Sequence, residues 1–108
     1  MATLKEVQSE VSRQLVRDYG DAWQLQGTTH VPLNVMFGLV EEAGEVAGLM
    51  KRALRGFSKD RERATHENLV DEMGDVLWYL AACCATQGTS LEEIWEHNKQ
   101  KLKERYGE

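Results

Sequence analysis

Two stretches of this chain are apolar enough to be buried as helices, yet they carry acid where a buried helix should carry none. Residues 33–50 hold Glu41, Glu42 and Glu45 as their only charged side chains, and residues 67–80 hold only Glu67, Asp71, Glu72 and Asp75. Neither stretch contains a Lys or Arg. Ionised carboxylates withdrawn from water need a countercharge, so any fold for this chain must supply one at these positions.

The rest of the sequence frames these stretches as helices. Thr3 and Glu6 form a capping-box pair, and Leu4, Val7, Val11 and Leu15 then recur at helical spacing, so a first helix is expected over residues 3–19, before Gly20. Residues 20–32, with Gly20, Gly27 and Pro32, read as a connection that could hold a turn of helix near Trp23. Pro32 suits a helix start, and the pattern from Leu33 runs to Arg55 before Gly56. After the polar string GFSKDRERAT, Thr65 or His66 opens a third helix, in which Leu69, Val70, Met73, Val76, Leu77 and Leu80 are expected to face a core and which Gly88 closes. Ser90 and Glu93 form a second capping-box pair that opens a fourth helix ending near Tyr106.

Strand signals are nearly absent, so the expected class is all-α, an antiparallel four-helix bundle. The second and third helices have apolar faces too wide for one small chain to cover, which predicts completion by oligomerisation, as a homodimer or homotetramer. At 108 residues the chain fits a single domain over residues 1–108. No run of 18 or more apolar residues and no basic-then-apolar leader occurs, so the expectation is no membrane partner and a cytoplasmic location. The net charge of -5 disfavours a stable nucleic-acid partner. Cys83 and Cys84 are the only cysteines, and an adjacent pair in an apolar stretch reads as two small buried thiols.

At about 100° per residue, Glu41, Glu42 and Glu45 fall within a sector of about 100°, and Glu72 and Asp75 lie about 60° apart. Helices joined by a short loop pack antiparallel, so the two acidic faces can meet near the middle of the hairpin. A divalent cation would then be the countercharge, and oxygen-only ligands select a hard ion, Mg²⁺ first with Mn²⁺ as a substitute. Gly44 and Gly74 sit inside the two acidic patterns and are expected to allow close approach of the backbones. A carboxylate di-iron bundle is a poor match, because it uses Glu-x-x-His pairs, whereas Ile94, Gly27 and Arg63 stand three residues before His97, His30 and His66. His66-Glu67 is likewise not followed by a His at the spacing of a zinc H-E-x-x-H motif.

The strings EEAGE (residues 41–45) and EMGD (residues 72–75), within LVEEAGEVAGLMKRAL and NLVDEMGDVLWYLA, resemble the MazG-type nucleoside triphosphate pyrophosphohydrolases of the all-α NTP pyrophosphohydrolase group. A later N-x-x-K-x-x-x-R feature stands as Asn98, Lys101 and Arg105, so the resemblance spans about residues 30–106. It implies Mg²⁺-dependent cleavage of a (d)NTP between its α and β phosphates, giving the monophosphate and pyrophosphate in nucleotide-pool house-cleaning. Glu42, Glu45, Glu72 and Asp75 would be the metal ligands. Glu41, Glu42 and Glu45 would form the catalytic set, with Glu41 auxiliary, orienting water or holding a second metal. Asn98, Lys101 and Arg105 would contact phosphate, and His30, in HVPLN, would contact base or sugar. Trp23, Phe37, Trp78, Tyr79 and Trp95 are further candidates for stacking on a base, though aromatics at helical spacing are more often core. From another functional class, a non-catalytic metal-dependent nucleotide-binding or regulatory module would keep the same carboxylates, and a plain helical interaction protein would need no metal.

Overall fold

The computed structural model describes residues 1–20, 30–55 and 65–107. They form four helices, α1 (Leu4–Tyr19), α2 (His30–Leu54), α3 (His66–Thr86) and α4 (Leu91–Tyr106), with no strand among the described residues. None of these helices is long and apolar enough to cross a membrane. The expected turn near Trp23 and most of the polar string after Arg55 lie outside the described residues.

Local chemistry fixes most of the helix ends. The Thr3 hydroxyl accepts from Glu6 N–H at 3.2 Å while the Glu6 carboxylate accepts from Thr3 N–H at 3.3 Å, so two otherwise orphaned donors at the start of α1 are satisfied reciprocally. Thr65 caps α3 by accepting from Asn68 N–H at 3.1 Å, and Ser90 caps α4 by accepting from Glu93 N–H at 3.1 Å. At the end of α3, Gly88 takes a φ of 72°, its N–H reaches the Ala85 carbonyl at 3.3 Å, and Thr89 N–H reaches that of Cys84 at 2.9 Å. This paired closure needs the left-handed conformation that glycine adopts without a Cβ clash.

α2 departs from expectation at its start. It begins at His30, two residues before Pro32 and three before Leu33, where the helical pattern was expected to begin, and ends at Leu54 with Arg55 in a turn. Pro32 therefore lies inside the first turn, where the N–H it lacks would have had no intrahelical partner.

The chain divides into two compact units, one of residues 1–32 and 81–108, the other of residues 33–80. In the first, Val11, Leu15, Ala81, Ala82, Cys84 and Leu91 form a buried core. Gln8 ties it together: its amide donates to the Ala81 carbonyl at 2.9 Å and accepts from Leu91 N–H at 3.0 Å. Leu91 opens α4, so a side chain from α1 satisfies a first-turn donor that α4 itself cannot. Of the cysteines, Cys84 is buried and Cys83 half-buried, and burial pushes both thiols upward, which leaves them protonated and inert near neutrality.

In the second unit Val35 and Leu49 are buried. The expectation that the apolar positions of α3 all face a core is corrected here: Leu69, Val76 and Leu80 are half-buried, but Val70, Met73 and Leu77 are exposed. They form a second stripe at i, i+3 and i+7, rotated off the first, and on α2 Leu33, Met36, Phe37, Val40, Met50 and Leu54 are likewise exposed.

Gln8→Ala removes both bonds and strands the Leu91 donor, so it should lower unfolding free energy by about 1–3 kcal/mol in urea titrations. Gln8→Glu keeps the acceptor and loses the donor, and its loss should be the smaller of the two.

Candidate metal centre

Among the half-buried and buried positions of α2, Val35, Gly38, Leu39, Glu42, Val46, Leu49, Arg52 and Ala53 recur at i, i+3, i+4 and i+7 and define one inner stripe. On α3 the matching stripe runs through Leu69, Glu72, Val76, Tyr79 and Leu80. Glu42 and Glu72 thus occupy positions that an ordinary helix pair would fill with Leu or Val. Glu41, Glu45 and Asp75 flank them on the exposed side.

The two stripes meet in antiparallel register. The Tyr79 ring occupies the space that a Cβ on Gly38 would need, and carboxylate oxygens of Glu42, Glu72 and Asp75 lie within 4.8 Å of one another. Those of Glu41, Glu42 and Glu45 form a second such group, so Glu42 belongs to both. The glycine expectation is corrected by the same geometry. A Cβ at Gly44 or Gly74 would meet nothing within 4 Å, whereas one at Gly38 would collide with Tyr79; close approach is needed six residues before Gly44, where the acidic pattern suggested it.

This arrangement has a clear electrostatic signature. Oε2 of Glu42 and Oε2 of Glu72 are buried without a hydrogen-bond partner among the described residues. Burial, followed by the charges of Glu45 and Asp75, pushes the Glu42 carboxyl above its ordinary range. Glu72 is pushed in the same direction, first by a hydrogen bond with Glu45 that only a shared proton can make, then by burial and by neighbouring carboxylates. With every acid ionised, none can donate to another, and the buried oxygens are left as bare acceptors. Orphaned acceptors, an all-oxygen donor set and uncompensated negative charge fit a hard divalent cation.

The other expected site residues fall elsewhere. Asn98, Lys101 and Arg105 share one side of α4, at i, i+3 and i+7, within the first unit; Asn98 is half-buried and the two cations are exposed. His30 is the first residue of α2, and its side chain lies outside the described residues, as does Trp23. Trp78 and Tyr79 are half-buried with ring centroids 5.0 Å apart in an edge-to-face contact, whereas Phe37 and Trp95 are exposed. One residue with no assigned role joins the acids on the inner stripe: Arg52, whose buried Nε has no partner among the described residues. Its signal in the sequence is faint, since it stands in a run of bases, but it lies seven residues after Glu45.

A family model described as the MazG nucleotide pyrophosphohydrolase domain matches residues 31–108, which include both acidic patterns. The chain belongs to the MazG family. Among proteins similar to this MazG chain, "Gene 37 protein" of Mycobacterium phage L5 is 33% identical over 86 residues, covering 80% of this chain and 72% of that protein. "Uncharacterized protein YvdC" of Bacillus subtilis (strain 168) is 34% identical over 77 residues, covering 63% of this chain and 69% of that protein. No solved structure matches the chain. The MazG match covers nearly all of α2 and the whole of α3 and α4, and α1 lies before it.

The raised carboxyls set a pH dependence. Between their ordinary value of 4.5 and their higher folded values, the folded state holds more protons than the unfolded state, so stability is full below that range and is lost as pH rises through it. Glu10 acts oppositely. Its hydrogen bond with Arg13 holds it down to about 2, so its contribution is present above its ordinary value of 4.5 and is lost as pH falls from there towards about 2. Metal-free protein should therefore melt at a higher temperature near pH 5 than near pH 7, and Mg²⁺ should raise the melting temperature more at the higher pH. Glu42→Gln should raise the metal-free melting temperature at neutral pH and shrink the Mg²⁺ response.

Proposed function

We propose that this MazG chain hydrolyses nucleoside triphosphates between the α and β phosphates, releasing the monophosphate and pyrophosphate, with Mg²⁺ as cofactor and Mn²⁺ as its substitute. The observation that carries the reading is the pair of buried carboxylate oxygens of Glu42 and Glu72, without a partner among the described residues and set among further acids in the seam between α2 and α3. Family membership supplies the reaction class.

Glu42, Glu45, Glu72 and Asp75 would hold the cation, which when bound offsets the acids' repulsion of a triphosphate and stabilises charge developing at the attacked phosphorus. The chain's own residues do the remaining work. Glu41 is exposed and belongs to the same oxygen cluster as Glu42 and Glu45, so it can orient a water molecule and accept its proton. The water oxygen bonds to phosphorus while the bridging P–O bond of the α–β anhydride breaks, and its electron pair leaves with the departing phosphate group. Asn98, Lys101 and Arg105 would contact the phosphates and His30 the base or sugar, in a single domain whose helices form an antiparallel bundle.

The same reading assigns the exposed stripes of α2 and α3 to a second copy of the chain. Large apolar side chains at Phe37 and Val40, each about 70% exposed, are costly to leave in water at this density, and they support a homodimer or homotetramer. Nucleotide-pool house-cleaning in the cytoplasm is the role that suits such a hydrolase.

Incubating the protein with a panel of standard and modified NTPs, with and without Mg²⁺, should release pyrophosphate only when metal is present. Glu45→Gln and Asp75→Asn should each cost at least about 100-fold in turnover while helicity is unchanged. Metal-dependent nucleotide binding without turnover would instead mark a regulatory module. For the assembly, light scattering should find an oligomer in the wild type and a smaller species in Val40→Asp.

A further inference from the structure

Three buried side-chain polar atoms lack a hydrogen-bond partner among the described residues: Glu42 Oε2, Glu72 Oε2 and Arg52 Nε. All three belong to the inner stripes of α2 and α3. The first two are acceptors suited to a cation. The third is a donor on a half-buried side chain, and a covered Nε with an unused N–H has the opposite need.

Arg52 is placed to meet that need at the same site. It follows Glu45 by seven residues, which puts the two within about 20° of each other around α2. Its side chain folds back along the helix. Nη1, Cζ and Nη2 would stand 3.2, 3.9 and 4.0 Å from a Cβ at position 48, so the guanidinium lies over Gly48 in space that a side chain there would contest. That level is about 4.5 Å along the helix axis from Glu45. The guanidinium thus lies over α2 in the turn that follows Glu45, and its Nε keeps a donor unspent among the described residues.

We infer that Arg52 is a substrate-contacting residue, giving its N–H groups to two adjacent acceptor atoms of the nucleotide and kept in place by the absence of a side chain at Gly48. Those acceptors are either phosphate oxygens or the acceptor edge of a base, both of which a planar guanidinium grips bidentately. The inference rests on the function proposed above, and it adds to that reading a cation to which the family resemblance assigned no role.

The test uses calorimetric binding, in Mg²⁺, of inorganic tripolyphosphate and of the α,β-methylene analogues of the four common NTPs, with wild type, Arg52→Gln, Arg52→Lys and Gly48→Ala. Arg52→Gln should weaken nucleotide binding at least about tenfold, with the Mg²⁺-induced thermal shift unchanged and Arg52→Lys recovering only part of the loss. Gly48→Ala should weaken binding in the same direction although the charge remains, and because Ala favours helix it also tests the inference if Arg52→Gln fails to fold. A parallel loss for tripolyphosphate assigns the contact to phosphate, and a loss confined to particular nucleotides assigns it to the base. If the wild type binds nucleotide and all three variants bind as it does, the inference is overturned while the proposed function stands. If the wild type binds no nucleotide with Mg²⁺, both fall.

Discussion

Mutual repulsion among carboxylates in the seam between α2 and α3 is the constraint around which this unit is organised. Glu42 and Glu72 stand at inner positions where burial of an apolar side chain would have stabilised the helix pair by about 1.5–3 kcal/mol. Instead each leaves a buried oxygen without a partner among the described residues. A seam built this way is poor at holding itself together and well suited to holding a cation. The rise in proton affinity of both groups expresses the same fact: these oxygens have no partner among the described residues, so without metal they hold a proton more readily.

The surrounding structure can be understood as compensation. Tyr79 over Gly38 closes one end of the seam and fixes its register, so the carboxylates arrive opposite one another rather than a turn apart. In the other unit, stability comes from ordinary sources: a small apolar core, reciprocal capping at Thr3 and Glu6, and the Gln8 amide that bridges Ala81 and Leu91. The division of labour is physical. Elements free of the site's chemistry satisfy their polar groups, and those that carry it do not.

Much of this was legible in the sequence because it is local. Capping pairs and glycine stops depend on residues three or four apart, so α1, α3 and α4 were bounded closely, and the acidic spacings placed carboxylates on one face of each helix. What was hidden depends on contacts between distant residues. Pro32 is compatible with any position in a first turn, so it could not locate the start of α2. Gly44 and Gly74 drew attention by sitting among the acids, whereas the glycine under steric demand is Gly38, identifiable only once Tyr79 is seen over it. Hydrophobic periodicity gave the width of the α3 apolar face but not which part of it the chain itself covers, so Val70, Met73 and Leu77 were misassigned to a core. Arg52 was concealed by composition, since one base among many looks like a solvated residue until its Nε is found buried.

The proposed chemistry depends on a cation bound in the α2–α3 seam. The most direct measurement is anomalous X-ray diffraction from crystals grown with Mn²⁺, which locates the ion without reference to activity. The account predicts an anomalous peak in contact with carboxylate oxygens of Glu42, Glu45, Glu72 and Asp75, and its absence from crystals of Glu42→Gln. Manganese bound elsewhere with the seam left empty, or a seam closed by shared protons alone at neutral pH and millimolar metal, would contradict it.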